Sequence, residues 1–320
     1  MKHKGLLLIT LVVSALISLV SPRFNPYYLD IVLGIGINII LAVSLNLING
    51  YTGQFSLGHA GFMAVGAYVT ASVTMFAGPP LLPKLGGADS VWGVSILFFL
   101  GLALAGVVAA VVGFLVGVPS LRLKGDYLAI VTLGFGEIIR VIFQNIQAVG
   151  GPSGLKGIPP YTNFFWTYAW AAIAIYTVLA LVHSTYGRGF LAVHDDEVAA
   201  SAMGINTTRY KVTAFVVGSF FAGIAGGLYA HLKSFIAPAG FDFMKSFDIV
   251  VMVILGGMGN TVGVVLAAIL LTVLPEMLRP VAEYRMILYS LLIIIIMLTR
   301  PQGLLTFKWR PKAARAGQSS

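Results

Sequence analysis

Glu137 and Arg140 stand three residues apart in an apolar run, a spacing that puts a carboxylate and a guanidinium on one helical face within reach of each other. Ionisable groups at membrane depth are costly, so such a pair either anchors helix packing or faces a watery path, where it would serve as an ion or proton site. Both readings stay open. The second concentration of chemistry is the polar stretch 186–210, where Asp195, Asp196 and Glu197 precede an alanine-rich segment containing Ala199, Ala200 and Met203 and closed by Gly204. Asp195 is the expected N-cap, Asp196 and Glu197 suit the positive first turn, and Gly204 is a natural left-handed terminator. A helix of about two turns is not stable alone in water. Flanking spans or a partner must hold it, so it is either an amphipathic loop helix at the lipid interface or an element that docks into another subunit.

Two Gly-rich interruptions lie in hydrophobic surroundings. One contains Gly53, Ser56, Gly58 and His59, the other Gly256, Gly257 and Gly259. Paired breaks of this kind occur in transporters built from repeated halves, where an interrupted helix offers free backbone donors beside the translocation path. The alternative is tight turns leading into closely packed helices, with Gly113 to Gly117 and Gly259 to Gly263 as small-residue contacts. Other chemistry is missing. No Gly-Lys dipeptide occurs, so there is no phosphate-cradling loop of the Walker type. The histidines, His3, His59, His183, His194 and His231, lack metal-ligand spacing, Ser56 does not sit in a nucleophile elbow, and cysteine is absent. An enzyme is disfavoured, and no metal or cofactor is expected.

The elements that must position these residues are membrane helices. Of 320 residues, 58% are apolar and 10% charged, against roughly 25% charged in soluble domains. Mean hydropathy is +0.93. Apolar runs predict an all-α polytopic protein with spans near 5–20, 28–48, 55–76, 92–118, 127–146, 164–182, 211–231, 246–258, 260–278 and 286–299. Residues 1–307 read as one transmembrane domain, and 308–320 as a basic, disordered tail. An N-terminus inside places more Lys and Arg in cytoplasmic segments, among them Arg122, Lys124, Arg188 and Arg209, than outside, so both termini are expected in the cytoplasm. The net charge of +9 implies anionic lipid as a partner and no nucleic acid.

Three stretches then resemble a known family: 45–68, 121–137 and 150–155, which run Leu45 to Tyr68, Leu121 to Glu137 and Gly150 to Leu155. They are similar to the permease subunits of branched-chain amino acid ABC importers, of the LivM type. The stretch Asp195 to Asn206 resembles that family's version of the permease signature loop, with Val198 intervening between Glu197 and the Ala199, Ala200 pair. What the resemblance implies is a coupling helix gripped by a cytoplasmic ATPase. It further implies a LivH-type permease as heterodimer partner, two ATPase subunits that bind the ATP, and a periplasmic or lipid-anchored binding protein that delivers leucine, isoleucine or valine. The membrane would be the cytoplasmic (inner) membrane of a prokaryote. Related permeases carry urea or other small amides, and a stand-alone ion-coupled transporter using Glu137 and Arg140 is the reading from a different class.

Overall fold

Helix starts are written in side-chain amides and carboxylates. Asn25 accepts from the Tyr27 amide and Pro26 occupies the first turn of α2 (Pro26–Asn49). In the same way Asn163 caps α7 (Phe164–Val182), Asn206 caps α10 (Thr207–Lys233), Asp242 caps α11 (Phe243–Gly256) and Asn260 caps α12 (Thr261–Met277). The remaining helices are α1 (Lys2–Val20), α3 (His59–Ser72), α4 (Gly78–Leu81), α5 (Val91–Ser120), α6 (Asp126–Asn145), α8 (Gly187–Asp195) and α9 (Glu197–Ala202). A π-helical turn, Val73–Ala77, carries α3 into α4. The structure is a computed structural model, and its described residues are 2–20, 24–85, 90–120 and 125–279, with scattered positions between 284 and 298.

At the centre α10 packs against α5, α3 and α2, while α1 lies on α7 and α7 on α2. The α3–α10 seam is backbone to backbone: a Cβ on Gly66 would collide with Gly223, and one on Gly226 with the Met63 carbonyl. Close approach of this kind replaces the hydrophobic drive that lipid cannot supply. Gly113 and Gly117 face Ser219 and Phe215 of α10, so this predicted small-residue pair does make a helix contact. On the outside of α5, Trp92, Leu104, Val107, Val111 and Leu115 are exposed apolar residues at helical spacing, a stripe suited to lipid.

The run Gly150 to Leu155 also acquires a structural role. Gly150, Gly151 and Gly154 all take positive φ, at 88°, 51° and 79°, and turn the chain into β1 (Leu155–Lys156). That strand pairs antiparallel with β2 (Phe235–Ile236), Leu155 opposite Ile236. Just after β1, the Pro159 carbonyl lies 2.7 Å from Nδ1 of the buried His231. The loop after α6 is thereby fastened to the end of α10.

Among the described residues, six helices are long and apolar enough to cross a membrane: Pro26–Asn49, His59–Leu81, Trp92–Ser120, Tyr127–Asn145, Phe164–Val182 and Thr207–Lys233. The described residues bear out an all-α polytopic protein but do not confirm the count of about ten spans. The runs 246–258 and 260–278 become α11 and α12, of 14 and 17 residues, each below the roughly 20 residues a full crossing needs. They fold back on each other about a turn at Gly257 to Asn260, where the two apolar runs divide. The third span starts at His59, because residues 50–58 are irregular. Half of the tenth run, 286–299, falls outside the described residues, and the tail 308–320, Arg122 and Lys124 fall wholly outside them.

Candidate functional site

The polar stretch folds as two short helices at the start of α10. Three rings fasten α8: Tyr186, Phe190 and Tyr210 pack with centroids 4.5 to 5.6 Å apart. Gly189 is required beneath them, since a Cβ there would enter the Tyr210 ring. The N-cap of α9 is Asp196, a correction to the expected Asp195. Asp196 adopts extended backbone (φ −155°, ψ 109°), and its Oδ1 accepts from the Val198 and Ala199 amides at 2.8 and 3.0 Å. Asp195 is instead the last residue of α8, with its carboxylate 3.5 Å from His194 Nδ1. Gly204 terminates α9 at φ 83°, and the Ile205 amide closes the turn on the Ala200 carbonyl.

Of the α9 side chains, Ala200 is buried while Val198, Ala199 and Met203 are exposed, Met203 to 83%. This exposes a small apolar face away from the bundle. Glu197 points the other way. Its Oε1 lies 2.7 Å from Nζ of Lys211 in the first turns of α10, with the Thr207 hydroxyl donating at 3.5 Å. Lys211 is 6% exposed, so it joins α9 to a long helix through a largely dehydrated ion pair. Sequence reasoning counted Lys211 only as a basic loop residue. A lysine just inside a long apolar helix is a signal for such a partner.

The two Gly-rich breaks meet at this same end. The Gly259 amide donates to Asn46 Oδ1 at 2.9 Å, Tyr51 and Thr261 hydroxyls lie 2.9 Å apart, and a Cβ on Gly50 would strike the Gly259 amide. Gly257 and Gly259 need their positive φ values of 94° and 79° to make the turn, and Gly256 lies against Gly263 and Val264. Gly53 sits against His194 of α8, with the added-Cβ distance at 3.4 Å, so the α8–α9 stretch touches the first break directly.

The turn reading of these breaks therefore fits better than that of free donors beside a path. The Leu57 amide donates to the Thr132 hydroxyl at 3.0 Å, the Ala60 amide to Ser246 at 3.1 Å, and Gly58 is pressed against the Thr132 carbonyl. Ser56 exchanges hydrogen bonds with Asn49, its amide donating to Asn49 Oδ1 and its carbonyl accepting from Nδ2. His59 is fully buried with Nε2 2.8 Å from Ser44 Oγ. Asn46 Nδ2, Gln54 Oε1, Ser56 Oγ and His59 Nδ1 remain buried without a hydrogen bond, so the junction is polar and incompletely satisfied.

Glu137 and Arg140 do pair, with Nε and Nη2 2.7 and 2.6 Å from Glu137 Oε2, both side chains about a third exposed (33% and 29%). Both lie on α6, with Glu137 beside Gly61 and Asp242. Residues 27–298 match the family described as branched-chain amino acid transport system, permease component. The chain is similar to the high-affinity branched-chain amino acid transport system permease protein LivM of Salmonella typhimurium, 36% identical over 88% of this chain and 71% of that protein. It is likewise similar to LivM of Escherichia coli, 37% identical over 84% and 68% respectively. LivH of Salmonella typhimurium, a permease protein of the same kind of system, is 24% identical over 83% of this chain and 90% of its own. No solved structure matches.

Proposed function

The chain belongs to the family of permease components of branched-chain amino acid transport systems, and from that premise we propose how it works. It is a membrane transport subunit and not an enzyme. It carries leucine, isoleucine or valine across the cytoplasmic membrane beside a second permease of the LivH type, with the α8–α9 end in the cytoplasm and both termini there. A soluble or lipid-anchored binding protein delivers the solute. ATP is bound and hydrolysed by two separate subunits, since this chain has no phosphate-binding loop.

The observation that supports this most is α9: an exposed apolar face on one side and the Glu197–Lys211 ion pair on the other. The exposed face made by Val198, Ala199 and Met203 docks into a groove of the ATPase. Its displacement is passed through Asp196, Glu197 and Lys211 to α10, and through His194 and Gly53 to the junction where the two breaks meet. Because α10 packs on α5, α3 and α2, a shift at its foot is felt by the whole central bundle. The Glu137–Arg140 pair neutralises itself and locks α6.

The test is co-expression with the ATPase and the paired permease. Wild type co-purifies with the ATPase and takes up leucine only with ATP. Met203→Glu, which puts charge on the docking face, loses the ATPase from the complex. ATP-independent uptake driven by an ion gradient would overturn the reading.

A further inference from the structure

We propose that the pocket at the end of α10 remote from α9 is a binding site for a zwitterionic aliphatic amino acid, gripped at its ammonium and its carboxylate by charges from α12 and α11. The site rests on the transport reading above only for its choice of solute. It is a cavity of about 200 Å³, formed by the first turns of α2 and α11 and the last turns of α10 and α12. Pockets for drug-sized ligands run to roughly 300–1,000 Å³, so this one suits a smaller solute. Since α10 has 27 residues, it stands a helix length, about 40 Å, from the coupling end.

The charges are arranged in two sets. Asp30 and Lys233 hold each other across the mouth at 2.8 Å and are mutually neutralised. Lys245 and Glu276 are not paired with each other. Lys245, in the first turn of α11, has no ion-pair partner among the described residues, and its Nζ stands 6.0 Å from the centroid of the Tyr229 ring. Glu276 uses Oε2 to accept from the Tyr27 hydroxyl at 2.5 Å, and Oε1 has no hydrogen bond among the described residues. Asp248, one turn on from Lys245, and Arg279, one turn on from Glu276, act on these charges from a distance without a direct ion pair among the described residues, so the ammonium and the free carboxylate oxygen lining one cavity match a ligand that brings the opposite charge into contact with each. A ligand with only one charge would forgo one of the two charge-assisted contacts, which are stronger than neutral hydrogen bonds.

The remaining walls fit an aliphatic side chain. Ile31, Ile37 and Leu232 supply apolar surface, while Asn38 and Thr272 are tied to each other at 2.9 Å. Gly34 of α2 also lines the cavity, and a Cβ built on it meets nothing within 4 Å. A larger residue at 34 would therefore occupy the cavity without displacing a helix. An ammonium joined to an anion is also the chemistry of a phosphatidylethanolamine headgroup, so the source of the ligand must be tested along with the site.

The experiment uses the complete transporter, purified without its binding protein, and radiolabelled leucine as the probe. Wild type binds leucine saturably, one per copy of this chain, whereas Lys245→Met and Gly34→Leu, each eluting as the intact complex, bind about tenfold to a hundredfold more weakly. 3-Methylbutylamine and 4-methylpentanoate, which each lack one charge, compete about tenfold or more worse than leucine. Absence of saturable binding to wild type, or equal binding by both variants, overturns the site. In nanodiscs, leucine binding is expected to be the same in phosphatidylethanolamine as in phosphatidylglycerol. Loss of leucine binding in phosphatidylethanolamine alone assigns the pocket to a headgroup and overturns the amino acid. ATP-driven uptake by the same wild-type sample reports separately on the transport reading: leucine bound without uptake would sink that reading and leave the site standing.

Discussion

At the scale of single residues, the proposed coupling of α9 to the bundle runs through the ion pair between Glu197 and Lys211. Lys211→Met removes one partner of a largely buried contact, which costs about 1–3 kcal/mol of local stability. The expected outcome is a complex that retains its ATPase and hydrolyses ATP but carries leucine at a much reduced rate. Exchanging the two charges, Glu197→Lys with Lys211→Glu, should recover part of the coupling, measured as leucine moved per ATP. If Lys211→Met couples normally, the link lies elsewhere. A second prediction concerns the α5–α10 seam. Gly223→Val has no space beside Ala105 and Ala109, so the complex should lose several degrees or more of thermal stability in a melting assay. The acidic and small residues of α9 were legible in the sequence because caps and terminators are local. Lys211 as a partner was not, since its meaning depends on a contact fourteen residues away across a turn.

At the scale of elements, the cap shows how a local rule can be right in kind and wrong by one residue. Two adjacent aspartates offered the same capping chemistry, and the choice fell to the one whose backbone leaves α8 in an extended conformation. Asp196→Ala should therefore cost about 1 kcal/mol and speed hydrogen exchange at residues 197–203, whereas Asp195→Ala should leave that exchange unchanged. Equal effects of the two substitutions would contradict the assignment. The long helices from α2 to α7 and α10 were readable from apolar runs alone. The α11–α12 hairpin was legible only as two runs divided near residue 259, because Gly257 and Gly259 fit both an interrupted span and a turn. What distinguishes the two is Asn46, whose side chain on α2 receives the Gly259 amide. Such a contact spans most of the chain and leaves no trace in local pattern.

At the scale of the whole molecule, the chain is a central α2–α3–α5–α10 bundle with the α8–α9 unit at one end and a charged pocket at the other. Family membership was legible from three stretches, and one of them has a plain physical role in the fold, because the glycines of residues 150–154 shape the turn that seats β1 on β2. The placement of both Gly-rich breaks against the coupling end was not legible, as it needs Gly53 to be brought to His194 and Gly50 to Gly259. The most direct test of the account is leucine uptake into proteoliposomes holding this chain with its paired permease, with and without the ATPase subunits and ATP. The account predicts uptake only when both are present, and ATP hydrolysis with little uptake when Lys211→Met replaces wild type. Leucine entering at full rate with the ATPase left out would contradict it.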